Sequence, residues 1–83
     1  MYISVQFKNK NKDFVGKAYD YLLNKEEIPP EKGDIIRMMD DNYNYKFYGT
    51  RVKVVDVFND EKKLNVPKEN IASIRYVQSS MEE

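Results

Sequence analysis

Eighty-three residues, 41% hydrophobic and 34% charged, are one domain's worth of chain with enough apolar side chains for a single core. The lack of cysteine and histidine removes disulfides, thiolate zinc sites, the usual neutral-pH general base and the base of a Ser/His/Asp triad. Formal charge is zero (14 basic against 14 acidic side chains), so phosphate binding by bulk charge is not the default expectation.

No apolar run approaches the roughly 20 residues of a membrane span, and no signal-peptide core follows Met1. A soluble, cytoplasmic protein is expected. Lysine outnumbers arginine 11 to 3 and asparagine is frequent, which fits an AT-rich genome such as that of a low-GC bacterium or its phages.

In chain order, Ile3, Val5 and Phe7 alternate with Tyr2, Ser4 and Gln6, the period-two pattern of a half-buried strand. Residues 9–13 (NKNKD) are a polar turn, whose lysines with Lys8 read as an exposed hairpin loop. Phe14 and Val15 precede Gly16, and residues 17–23 (KAYDYLL) form a second strand. Ala18, Asp20 and Leu22 share one face of it; Tyr19, Tyr21 and Leu23 share the other. A helix over residues 17–27 also fits the spacing of Ala18, Leu22 and Leu23. The clustered β-favouring residues and the lack of a good N-cap favour the strand.

Pro29 and Pro30 exclude a helix interior or a central strand, which makes residues 24–32 a loop. Lys32, Gly33 and Asp34 turn the chain into a near-continuous apolar run, Ile35 to Met39, suited to a strand buried along most of its length. Residues 40–44 have turn chemistry. Residues 45–58 read as one long bent strand or as two, with Gly49 as the corner. Val52 and Val54 share one face and Val55 and Val57 the other, so the pattern slips and predicts a bulge near Val54–Val55.

Residues 59–63 form a turn, residues 66–70 a short 3₁₀ turn and residues 71–77 a closing strand; residues 79–83 are a frayed polar tail. Five or six short strands with frequent turn signals predict a small all-β barrel over residues 1–78.

The most pointed functional candidate is NYNYKFY, residues 42–48. In an extended chain Tyr43, Tyr45 and Phe47 project to one side, and Asn44, Lys46 and Tyr48 to the other. With Lys46, Arg51 and Lys53, such a row could stack single-stranded bases at roughly 1–3 kcal/mol each. It could equally be a protein-binding patch, or one core face beside ordinary cross-strand tyrosine packing. Asp40 and Asp41 read as a solvated turn, since their spacing lacks a calcium-loop pattern. Glu26, Glu27 and Glu31 keep their loop soluble or face a ligand. No phosphate-binding glycine loop exists, and Ser73, Ser79 and Ser80 have no base to activate them. No catalytic residue, cofactor or metal is expected.

Ala18-Tyr19-Asp20-Tyr21, an acidic loop, Gly33-Asp34, and Pro67 with Asn70 before the last strand together resemble the Src-homology-3 domain. That family shows an ALYDY-type stretch, an acidic loop, a Gly-Asp-hydrophobic pair and a PSNYV-type turn. The resemblance implies a Src-homology-3-like barrel with a groove for a Pro-rich ligand. Carried over, Tyr19, Tyr21 and Pro67 are groove residues, and Glu26, Glu27 and Glu31 face a basic ligand residue. The family's clamping tryptophan has no counterpart here, and Ile71 stands where its second turn aromatic would be. Over residues 1–58, the order ISVQF, KAYDYLL, EKGDIIRM, GTRVKVVDV is also similar to the N-terminal domain of the primosomal replication-restart helicase and to small phage proteins. The helicase likeness implies recognition of a DNA 3′ end.

The expected function is a non-enzymatic binding module, a phage-type or mobile-element accessory protein that binds a host or replication protein. Its contact residues are expected to be Tyr43, Tyr45, Lys46, Tyr48, Arg51 and Lys53, with Tyr19, Tyr21, Glu26 and Glu27. The alternative is a single-stranded nucleic-acid module of replication or repair, touched by Tyr43, Tyr45, Lys46, Arg51 and Lys53. A purely structural or oligomer-forming piece is the third class.

Overall fold

The computed structural model describes residues 1–44 and 51–79. Tyr45, Lys46, Tyr48, the Gly49 corner and residues 80–83 of the polar tail lie outside the described residues. Among the described residues there are five strands: β1 (Tyr2–Lys8), β2 (Phe14–Leu23), β3 (Ile35–Met39), β4 (Arg51–Phe58) and β5 (Ser73–Gln78). They close a barrel in the order β1-β2-β5-β3-β4, with β4 returning to β1. Two 3₁₀ turns, Glu61–Lys63 and Lys68–Asn70, precede the last strand. The fold is all-β, as the strand and turn pattern predicts, and residues 17–23 take the strand rather than the helical alternative. No helix among the described residues is long and apolar enough to cross a membrane.

Alternation decides which side chains enter the barrel. Ile3 and Val5 of β1, Ile36 and Met38 of β3, Val52 and Val54 of β4, and Ile74 of β5 are fully buried and form one cluster. Phe7, Tyr21, Val57 and Tyr76 pack against its margins. The valine slip in β4 is the expected bulge: Ser4 pairs with Asp56 but Val5 with Val54, leaving Val55 as the extra residue. It lets Val54 and Val57 both serve the interior.

β1 departs from the half-buried expectation, because Tyr2 and Ser4 on its outer face are buried too. The chain after β4 crosses over this wall. Tyr2 stacks on Phe58 at 5.7 Å, and its hydroxyl donates to Glu61 at 3.4 Å. The Ser4 hydroxyl donates to Asp20, whose other carboxylate oxygen accepts from the Asn65 N–H at 2.9 Å.

β2 begins at Phe14, earlier than residue 17, and runs through Gly16 at φ +94. The β1–β2 register is irregular there, and the Gly16 carbonyl accepts from the Gln6 side chain at 2.9 Å. A residue with that dihedral is glycine for steric reasons. Four of the five strand pairings are antiparallel; β2 and β5 run parallel and meet only at Leu22–Ser73 and Leu23–Ile74.

Candidate functional site

The two segments that carry the Src-homology-3 resemblance come together. Lys17, Ala18, Tyr19, Asp20 and Tyr21 of β2 form one wall of a groove of about 230 Å³, and Asn65, Val66, Asn70 and Ala72 form the other. The Asp20 carboxylate sets its width by clipping Asn65 to β2. Lys68, on the far turn, lies 2.8 Å from Glu61 and ties the two 3₁₀ turns together. That hydrogen bond and the Lys68 charge hold the Glu61 carboxyl below its ordinary value, and the same contact raises Lys68.

The two groove tyrosines differ. Tyr19 is 45% exposed, meets Phe7 edge to face at 5.6 Å and carries the Lys17 ammonium 5.4 Å from its ring centre. Tyr21 turns inward and packs on the core. Pro67 caps the 3₁₀ turn between the wall residues Val66 and Asn70.

Tyr43 is not on an extended strand. It occupies the left-handed position (φ 65) of a turn in which the Asp40 carboxylate accepts from the N–H groups of Asn42 and Asn44, both at 2.9 Å. Bonding to Asn44, then to Asn42, holds the Asp40 carboxyl below its ordinary value despite some burial. The turn at residues 9–13 is built the same way, with Asn9 accepting from Asn11 and Asp13 and Lys12 at φ 67. Asx chemistry at the first position builds both turns, as the composition of residues 9–13 and 40–44 predicts.

Tyr43 and the acidic loop meet at a residue sequence reasoning did not single out, Arg75 of β5. Its guanidinium donates to Glu26 at 3.3 Å and to the Asp41 carbonyl at 3.3 Å, and lies 3.9 Å from Glu27. The Tyr43 ring centre is 4.6 Å away, and Tyr43 remains 60% exposed. The Asp41 carboxylate in turn accepts from Asn24 and Ser73, each at 3.1 Å. Glu26 and Glu27 thus face a basic residue of this chain itself. Strand alternation puts Arg75 on the outer face, but only topology brings both loops to it.

The predicted cations Arg51 and Lys53 lie elsewhere, on the outer face of β4. Arg37 of β3 pairs with Arg51, and Lys53 pairs with Gln6 and Ile35. Lys8 follows Phe7, the partner of Val52, on the other flank of Arg51. Partial burial, followed by the charges of Arg51, Lys12 and Arg37, holds the Lys8 ammonium below its ordinary value. Lys8 also lies 5.4 Å from the Phe14 ring centre. One row lower the same wall carries Ser4, Asp20 and Asp56. Zero net charge therefore conceals a wall that is cationic at the hairpin end and acidic below.

No family model, curated protein or solved structure matches this chain. The functional reading rests on these surfaces.

Proposed function

We propose that this chain is a non-enzymatic module that binds a protein partner through the groove between β2 and residues 65–72. The observation that carries the reading is the convergence of Ala18–Tyr21 with the turn before the last strand. Asp20 and Asn65 are 45 residues apart in sequence and joined by one hydrogen bond. A small closed barrel with a 3₁₀ turn before its last strand, grooved between these segments, supports kinship with Src-homology-3-like barrels. Tyr19 supplies a half-exposed aromatic of the type enriched at protein interfaces. The lysine and asparagine bias supports a cytoplasmic accessory protein of a phage or mobile element whose partner is a host or replication protein. Affinity capture with wild-type, Tyr19→Ala and Ile28→Ala baits tests the groove. Partners retained by Ile28→Ala and lost by Tyr19→Ala are expected; identical lists from all three baits would sink it.

A second reading has its own observation. Lys8, Arg51, Arg37 and Lys53 form a cationic wall across three adjacent strands, about 4.8 Å apart per strand. With Phe14 beside Lys8, it has the charge and an aromatic ring of the kind a single-strand nucleic-acid platform uses. Anisotropy of labelled single-stranded DNA should then rise at low salt and fall steeply as salt is added. A flat signal at micromolar protein removes this reading.

A further inference from the structure

We infer that the occupant of the groove is an extended peptide segment of the partner, bound as an added strand along the open edge of β2. The inference rests on the protein-binding reading and names the chemistry of its ligand. β2 pairs with β1 from Phe14 to Leu22 but with β5 only at Leu22 and Leu23. The rest of that edge, residues 14–21, has no strand beside it among the described residues.

The direction of its backbone groups follows from the hydrogen bonds at the seam. The N–H of Leu22 donates to the Ala72 carbonyl and that of Asn24 to the Ile74 carbonyl, both on the β5 side. Leu23 donates instead to Met1, on the β1 side. The register is regular from Leu22 to Ala18, so alternation carries back along the strand. Ala18 and Asp20 turn their N–H and C=O groups to the groove, and neither has a backbone partner there among the described residues. An unpaired row of donors and acceptors is a template for another extended chain.

The opposite wall decides what kind of chain. Asn65, Val66, Asn70 and Ala72 stand across the groove, so a second sheet has no room to continue beyond the added strand. That excludes edge-to-edge pairing with a second copy of this barrel and leaves a single strand. Asn65 and Asn70 line the slot, and their side-chain amides have no hydrogen-bond partner among the described residues. A carboxamide both donates and accepts, so these two suit the outer backbone groups of such a peptide. Tyr19, Val66 and Ala72 offer apolar contacts to alternate side chains. The hairpin leading into β2, residues 8–17, carries Lys8, Lys10, Lys12 and Lys17 against Asp13 alone, and Lys17 lines the groove, so the peptide's end on that side is acidic.

Amide hydrogen exchange and a proline substitution test this directly. In the free protein the Ala18 and Asp20 amides should exchange fast while Tyr19 and Tyr21, bonded to β1, exchange slowly. The probe is a linear peptide selected from a random displayed library against the wild-type protein. Its binding should slow exchange at Ala18 and Asp20, and Ala18→Pro should weaken it about tenfold for the lost donor. Proline is tolerated on an open edge, so the thermal midpoint of Ala18→Pro should stay near wild type. Should that variant fail to fold, the exchange measurement on the wild type still decides. Slow Ala18 exchange in the free protein would overturn the inference. So would a selected peptide that leaves Ala18 and Asp20 unprotected, although such binding keeps the module reading. If no peptide is selected, strand addition is overturned and the capture experiment alone judges the module.

Discussion

Replacing Ile36 by alanine should destabilise the protein by about 2–5 kcal/mol, the cost of deleting a fully buried aliphatic side chain and leaving its cavity. Ile36 pairs with Val52 on one side and Gln78 on the other, so its side chain sits where β3 joins β4 to β5. A chain of this length has on the order of 4–12 kcal/mol of stability in total. Urea titration should show the midpoint falling with the slope unchanged. Ile28, 82% exposed, is the control: its alanine variant should stay within about 0.5 kcal/mol of wild type. A loss below about 1 kcal/mol at Ile36 would mean that the barrel interior collapses around the gap, contrary to the close packing of interiors.

Asp20→Ala should cost about 1–3 kcal/mol, because it leaves the buried Ser4 hydroxyl and the Asn65 N–H without their acceptor. Asp20→Asn keeps one acceptor oxygen and should lose markedly less. The same pair separates the clip from simple loss of charge: exchange at the Asn65 amide should quicken in the alanine variant and stay close to wild type in the asparagine variant. Equal quickening in both would assign the effect to charge. Since Asp20 holds the groove's two walls together, the alanine variant should also weaken peptide binding without removing Tyr19.

What could be read from the sequence was what local chemistry controls. Alternation identified both faces of β2, the slip in the valines located the bulge at Val55, and the Pro-Pro loop and the turn before β5 were where composition put them. The outer burial of Tyr2 and Ser4 was not legible, because the segment that covers them is more than fifty residues away and carries no pattern that announces its path. The parallel pairing of β2 with β5 was hidden for the same reason. Residues 40–44 read as a turn and form one; Asp40 captures two backbone N–H groups there, which takes Tyr43 out of the extended row that NYNYKFY suggests. In the sequence Arg75 is one cation among fourteen; the two loops that converge on it give it its place.

β1 is paired on both flanks, with β2 from the next turn and with β4 from the second half of the chain. During synthesis the first flank can close as soon as Leu23 has emerged, whereas the second must wait for Arg51 to Phe58. Throughout that interval the run from Tyr2 to Phe7, rich in β-forming and apolar residues, presents an unsatisfied edge. The nascent hairpin is therefore the stage most exposed to mispairing with its neighbours on the polysome. Chains that stop short of β4 carry that hazard permanently.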